Sequence, residues 1–304
     1  MKVLIVASGN SADISPFVKE QGNSLKDIGL DIDYFLIKGK GISGYVKNYF
    51  TLIKLLKNSK YDIIHAHYGL SGLLATFQSY APLVITFHGS DVNLNRINFC
   101  LSFLASRLSD ENIFVHESLS KKLSLFSDQT EIIPCGVDLN LFKPIDKLAA
   151  RDKLGMGRNY KYVLFSSSFD NKIKNVALAK TALSNIENAI LIEMKGLSRE
   201  EVHLLMNAVD ILIVTSFSET GPLVVKEALA CNCPIISTDV GDVKKLVKGI
   251  KNCHIVEYDA KQIEKKIRDI LSSHQKSNGR AAVEHLGLEK IAADVYKLYK
   301  RVLK

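Results

Sequence analysis

The sequence predicts an α/β protein built from two domains of similar size, and three observations carry that prediction. The chain has 304 residues, more than one ordinary core encloses and enough for two of about 150. Short apolar runs such as Val3 to Ala7, Leu83 to Phe87 and Asp210 to Val214 alternate with longer stretches of helical spacing, which is the order of a parallel sheet with crossover helices. Midway, Ile132-Ile133-Pro134-Cys135-Gly136-Val137-Asp138 and Pro144 carry the punctuation of a boundary, placing a linker near Phe142 to Leu148.

The first half opens with a strand, Val3 to Ala7, a turn over Ser8 to Ser11, a helix over Pro16 to Asp27 and a strand over Asp33 to Ile37, a βαβ unit. No G-x-G-x-x-G follows the first strand, which argues against nicotinamide chemistry. Lys38 to Gly44 reads as a mobile loop. Tyr45 to Lys60 reads as a basic amphipathic helix with Tyr45, Tyr49, Leu52, Ile53 and Leu56 on one stripe and Lys47, Lys54, Lys57 and Lys60 among them, packed on the sheet or docked at an anionic membrane. Ile63 to His67 is a strand ending in polar residues. His65 and His67 are read as alternating faces, one of them satisfied in the core, and Tyr68 to Gly72 opens the next helix. Leu83 to Phe87 brings His88-Gly89-Ser90-Asp91 to a strand end, where α/β domains place ligands. A helix over Asn98 to Leu108, a strand over Asn112 to Val115 and a helix over Ser118 to Phe126, capped by Ser118, follow.

The second half opens with a strand, Tyr162 to Ser167, the turn Ser168 to Asn175 and a helix over Ala177 to Leu183. Next come a strand over Ile190 to Glu193, a helix over Arg199 to Ala208 and the strand Asp210 to Val214. Ser216-Phe217-Ser218-Glu219-Thr220-Gly221-Pro222 then runs into helical spacing at Leu223, Val224, Glu227 and Ala228. Pro222 suits a first helical turn, and the free amides there, with the positive end of the helix dipole, make a seat for an anion such as phosphate. Glu219 and Glu227 can both accept hydrogen bonds from hydroxyls, so a diphosphate flanked by sugars would use the whole stretch. Strands over Pro234 to Ser237 and His254 to Tyr258 alternate with helices starting at Gly241-Asp242 and spanning Ala260 to Ser272. An amphipathic helix over Leu286 to Leu303 ends the chain.

Composition narrows the classes. Hydrophobic residues make up 47% and charged residues 24%, as in globular proteins. No segment approaches the roughly 18 apolar residues of a membrane span, and the opening apolar run is too short for a signal peptide, so a cytoplasmic protein is expected. The five cysteines (100, 135, 231, 233, 253) are odd in number and lie mostly in apolar segments, which favours free thiols in a reducing compartment. Cys231 and Cys233 form only C-x-C, so packing is favoured over zinc. The net charge of +8 favours an acidic partner: nucleotide phosphates, an anionic membrane or nucleic acid. Without an aromatic-basic RNA signature or a zinc finger, nucleic acid is the least favoured.

Glu219 and Glu227, with Gly221-Pro222 between them, resemble the E-x7-E signature of the retaining glycosyltransferases of family 4. Asp62-Ile63-Ile64-His65-Ala66-His67-Tyr68-Gly69, Thr86-Phe87-His88-Gly89-Ser90-Asp91 and Ile133 to Asp138 with Phe142 and Pro144 stand in that family's order. A pair of Glu at this spacing occurs by chance; four motifs in register over nearly the whole chain are specific. The resemblance implies the GT-B fold, two Rossmann-like domains with a cleft between them: residues 1–143 on the acceptor side and 144–304 on the nucleotide-sugar side, with the C-terminal helix returning to the first. It implies sugar transfer with retention from a nucleotide-diphosphate sugar to a saccharide or lipid-linked saccharide. The positive charge and the Lys-rich Tyr45 to Lys60 helix favour the lipid-linked acceptor over a soluble metabolite, as in cell-surface polysaccharide synthesis by a protein peripheral at the inner face of the membrane.

Site roles follow from the same resemblance. His88, Glu219 and Lys174 would be catalytic. Lys172, Asn175, Thr220, Gly221, Pro222, Leu223 and Glu227 would bind the donor, Glu219 at the sugar hydroxyls and Glu227 at the ribose. Gly9, His67 and Asp91 would lie on the acceptor side, with Asp91 ordering its loop or receiving the acceptor. No cofactor is expected, and no metal, for lack of the D-x-D element of metal-dependent glycosyltransferases. The family places an Arg three residues before Lys174; here Asn171 stands there, and Lys172 is expected to supply the charge without Arg's bidentate fork. Two readings outside enzymes stay open: a sugar-nucleotide-binding homologue without turnover, and a basic nucleic-acid-binding protein.

Overall fold

Apolar runs that alternate with helices become parallel strands covered on both faces, and such strands are apolar throughout because neither face meets water. The computed structural model describes residues 1–10, 14–39, 41–93, 95–123 and 130–304. Its first sheet contains β1 (Lys2–Ser8), β2 (Asp31–Ile37), β3 (Ile63–His67), β4 (Leu83–Phe87), β5 (Glu111–Phe114) and β6 (Thr130–Ile132), in the order β2-β1-β3-β4-β5-β6. The second contains β7 (Lys161–Phe165), β8 (Ala189–Ile192), β9 (Ile211–Val214), β10 (Ile235–Thr238) and β11 (Cys253–Val256), in the order β11-β10-β9-β7-β8. Every residue of β3, β4 and β9 is buried. The order reverses between β1 and β3 in one sheet and between β7 and β9 in the other, and the carboxyl ends at such points are where open α/β sheets hold ligands.

Two units result, Met1–Gly136 with Leu288–Lys304, and Val137–Gly287. The C-terminal helix Leu288–Val302 buries Ile291, Ala292, Val295, Leu298 and Tyr299, one face at helical spacing, in the core that also holds Val3, Ile5 and Val18 of the first unit. The boundary precedes the expected 143/144 division because the segment after Gly136 belongs to the second core. Val137 pairs with Gly287, Phe142 is fully buried there, and Arg280 holds the carbonyls of Leu139 and Phe142 at 2.9 and 2.7 Å.

Several local expectations are corrected. Gly41–Asn58 is one helix, so Gly41 to Gly44 are not loop; Asn48 reaches back to the Lys38 carbonyl at 2.7 Å and braces that entry. Lys40 lies outside the described residues, as do Ser11 of the first turn and Ser124 to Phe126 of the expected helix, which is described over Glu117–Leu123. Ser118 sits inside that helix and does not cap it; its N–H donates to His116 Nδ1 at 3.1 Å. The helix expected from Gly241-Asp242 begins at Val243. β6 and the short helices Lys147–Lys153 and Arg280–Val283 were not expected, being too brief to show a period. A D-x-D spacing does occur, Asp31-Ile32-Asp33, but it opens β2, where both carboxylates face Lys2 Nζ at 3.9 and 3.2 Å.

Candidate functional site

In the second unit the turns after β7 and β9 are stitched together. Asn175 takes the left-handed conformation, φ 54° and ψ 55°, which asparagine tolerates better than most residues. This places Lys174 at the end of the single turn Lys172–Lys174. The carbonyls of Lys174 and Asn175 both accept from Thr215 Oγ1, at 3.0 and 2.9 Å, and Phe217 N–H donates to the Ile173 carbonyl at 2.9 Å. Lys174 Nζ is thereby held 2.6 Å from Glu219 Oε1, which also accepts from Ser216 Oγ at 2.7 Å. Asn171 Oδ1 accepts from Ile173 N–H and caps the turn, so it supplies no cation, and Lys172 is exposed.

The chain then passes Thr220 and Gly221 into the helix Leu223–Ala230. Pro222 is its N-cap, φ −66° and ψ 112°, one position earlier than expected, and no side chain caps the helix. Its first amides and dipole therefore face the turn that carries Glu219. Gly241, at φ +56°, lets the loop after β10 lie against this turn: a Cβ there would stand 3.2 Å from the Thr220 carbonyl carbon. Thr238 Oγ1 and Tyr258 OH donate to the Ser216 carbonyl at 2.9 and 2.8 Å.

Glu227, only 3% exposed, accepts from Arg199 at 2.6 Å. Arg199 opens the helix Arg199–Ala208, whose start is locked by a capping box between Ser198 and Glu201, and its guanidinium lies 4.7 Å over the Phe142 ring. The sequence reading missed Arg199. The signal available was the Ser198-x-x-Glu201 cap, which fixes Arg199 at the first helical position; its partner 28 residues on carries no local signal. Each carboxylate of the Glu219/Glu227 pair is thus matched by a cation, the arrangement that lets a charge stay buried.

The first unit gathers histidines. His65 and His67 do not face opposite ways: two residues apart on a strand, they share a face, and their rings stack at 4.6 Å. Both are fully buried. His65 Nδ1 meets Tyr299 OH at 2.6 Å and its Nε2 meets Thr86 Oγ1 at 2.7 Å. His67 Nδ1 meets His88 Nε2 at 3.0 Å, and His88 Nδ1 lies 3.7 Å from Cys135 Sγ. His67 Nε2 has no partner among the described residues. That network favours the tautomers in which His67 donates to His88 and His88 to Cys135. Burial pushes the imidazoles of His65 and His88 down to about 3 and that of His67 well below its usual value. Burial also raises the Tyr68 hydroxyl to about 12.

Asp91 is an organiser of this corner. Its carboxylate accepts from the backbone N–H of Gly69, His88 and Gly89 at 3.1, 3.3 and 2.7 Å and is 6% exposed, so it orders the loop and is not presented to an acceptor. His67 is likewise enclosed, and both ring nitrogens of His88 face protein groups. Gly9 follows β1; its N–H donates to the Ile37 carbonyl at 2.9 Å, and a Cβ would lie 2.9 Å from Leu36 Cβ. The structure therefore groups Lys174, Asn175, Glu219, Thr220, Gly221, Pro222, Leu223 and Glu227 in one unit, and Gly9, His67, His88 and Asp91 in the other. Among the described residues no three His, Cys, Asp or Glu side chains are grouped so as to hold a metal, and the five cysteines are free thiols.

Comparison with known proteins follows the same division. The family described as Glycosyltransferase Family 4 matches residues 3–141, and that described as Glycosyl transferases group 1 matches residues 191–282. TuaC of Bacillus subtilis, whose name assigns it as a glycosyltransferase to teichuronic acid biosynthesis, is 28% identical over 61% of this chain and 55% of its own length. The chain spans 55–63% of the length of this relative and of D-inositol 3-phosphate glycosyltransferases from mycobacteria. A sucrose-phosphate synthase from Thermosynechococcus elongatus shares the fold with a TM-score of 0.80 at 20% identity, covering 99% of this chain and 98% of that one. Anabaena HepE, solved with UDP and glucose, superposes with a TM-score of 0.79 at 16% identity over 99% and 100% of the two chains. The fold is GT-B.

Proposed function

We propose, for a chain that belongs to the family 4, group 1 glycosyltransferases, that it moves a hexosyl group from a nucleotide-diphosphate sugar to a saccharide or lipid-linked saccharide, with retention and without a metal, in cell-surface polysaccharide synthesis. The observation that carries this is the second unit's strand-end site, where Lys174–Glu219 and Arg199–Glu227 flank the uncapped start of Leu223–Ala230. A donor diphosphate seated at the amides of Gly221 and Leu223 meets Lys174, with Lys172 from the same turn, as the charge on the leaving group grows. Glu219 takes hydroxyls of the transferred sugar and Glu227 those of the ribose. The leaving phosphate receives the acceptor's proton on the same face, so no carboxylate nucleophile is needed. His88 acts as a neutral hydrogen-bonding group toward the substrate, exchanging its Cys135 contact for a hydroxyl.

The relatives support this reading at the level of chemistry: one is named for teichuronic acid biosynthesis, and a structural neighbour was solved with UDP-glucose. The basic helix Gly41–Asn58 supports work on a lipid-linked acceptor by a cytoplasmic protein held peripherally at an anionic membrane; no described helix is long and apolar enough to cross one. Asn171, spent on capping its turn, favours one alternative, a homologue that binds nucleotide sugars without turnover.

The test is transfer of labelled sugar from UDP-, GDP- and ADP-glucose in EDTA to membrane lipid extract and to free saccharides. Turnover with one donor, lost in Glu219→Ala, supports the enzyme; binding without turnover on any acceptor supports the alternative; neither binding nor turnover overturns both.

A further inference from the structure

The first unit contains an apolar cavity of about 600 Å³, within the usual range for a small-molecule site, lined by Tyr45, Tyr49, Phe50, Leu73 and Phe77 among others. One wall is fixed, since Tyr49 OH donates to the Phe77 carbonyl at 3.1 Å and the two rings meet edge to face at 6.4 Å. At its mouth Phe50, Phe77 and Val46 are 66%, 61% and 50% exposed, a concentration of apolar surface that isolated domains seldom leave in water. The helices that supply the lining, Gly41–Asn58, Gly69–Ala75 and Arg96–Leu108, contain no Asp or Glu. They carry Lys47, Lys54, Lys57, Arg96 and Arg107. Lys47, Phe50, Lys54 and Lys57 fall at helical spacing on one stripe, which sets cations beside the mouth.

We propose that this cavity takes the hydrocarbon chain of a phosphate-headed lipid, with the head at the Lys47, Lys54 and Lys57 stripe. An apolar interior alone would suit any greasy partner; an apolar interior lined by helices without a carboxylate, two of the three carrying cations, selects an anionic amphiphile. A second copy of this chain is disfavoured, because its own lysine stripe would face this one. The inference deepens the reading of a lipid-linked acceptor and rests on it for its meaning in the reaction, whereas its test reads binding alone.

Dodecyl phosphate, kept below its aggregation concentration, would be titrated into the protein by calorimetry alongside dodecyl maltoside and inorganic phosphate. We expect saturable one-to-one binding of dodecyl phosphate, at least about tenfold weaker binding of the maltoside, and none of inorganic phosphate. Phe50→Ser and Phe77→Ser, both at exposed positions, should weaken either detergent, whereas Lys54→Glu with Lys57→Glu should weaken only the phosphate. Equal affinity for the two detergents, no saturable binding, unchanged affinity in the Phe variants, or a dimer that Phe50→Ser dissociates would each overturn the proposal. UDP-glucose titrated into the same variants reports on the other unit: a donor bound while dodecyl phosphate is not sinks this inference and leaves the transferase reading standing.

Discussion

At the ends of β3 and β4 three imidazoles lie in a stack, and burial strips them of charge. At the ends of β7 and β9 two carboxylates are nearly as enclosed, yet each stands 2.6 Å from a cation. Both groups sit at strand ends of a parallel sheet, and the electrostatics are opposite. Burial alone neutralises a titratable group, whereas burial with a partner preserves the charge. The second unit is therefore suited to a charged ligand and to stabilising a leaving group, and the first to neutral hydrogen bonding.

The largest effect that would break this comparison lies in acid. A histidine held at a depressed pKa is neutral in the native state while the unfolded chain takes up its proton below about 6.5. Stability is thus present above that pH and lost as pH falls toward the native value near 3, by about 1.4 kcal/mol per pH unit for each such group. His65 and His88, both held near 3, together give roughly 5 kcal/mol between pH 6 and 4. Urea midpoints across that range should fall steeply and flatten in His65→Phe with Tyr299→Phe; a flat wild-type profile would show that the stack is charged.

Next in size is Lys174→Ala, which removes the cation at Glu219 and the charge facing the leaving group. A fall of about 10² to 10³ in kcat is expected, with Lys174→Arg retaining much of it; a change under about threefold in transfer assays would leave Lys174 with no electrostatic role. Arg199→Ala removes the cation 2.6 Å from the buried Glu227 carboxylate. Removing one partner of a buried pair costs about 3–5 kcal/mol, and since Arg199 is 24% exposed we expect about 2 kcal/mol in denaturant unfolding. Restoration in Arg199→Met with Glu227→Gln would confirm that the loss is unpaired charge. The smallest effect is Gly241→Ala, where positive φ and the 3.2 Å approach to Thr220 should cost about 1 kcal/mol in stability and about fivefold in donor affinity.

The parts legible in the sequence were those with a long period or a strong terminus. Pro16–Asp27 and Arg199–Ala208 were delimited as found, and Pro marks the start of the first. β4 and β9 stood out as short apolar runs. β6 was invisible: its three residues are partly exposed and carry neither alternation nor a continuous run. The domain boundary was misplaced because Phe142 looks like linker until Arg280 is seen holding its carbonyl and its ring is found in the second core. Within the site, Glu219, Glu227 and Lys174 were legible through the resemblance to family 4, but the cation for each carboxylate comes from 45 or 28 residues earlier, a pairing made by the order of strands and not by any local pattern. Of the two roles open to Asp91, ordering its loop is the one its geometry supports, since the three amides it holds come from two separate strand ends.

The central claim is that the charged strand-end site of the second unit binds the nucleotide sugar. Calorimetric titration of wild type, Lys174→Ala, Glu227→Ala and His88→Asn with UDP-, GDP- and ADP-glucose in EDTA tests it directly. Micromolar binding of one donor is expected, lost in Lys174→Ala and Glu227→Ala and kept within a few-fold in His88→Asn. Binding abolished by His88→Asn and untouched by the other two would contradict it.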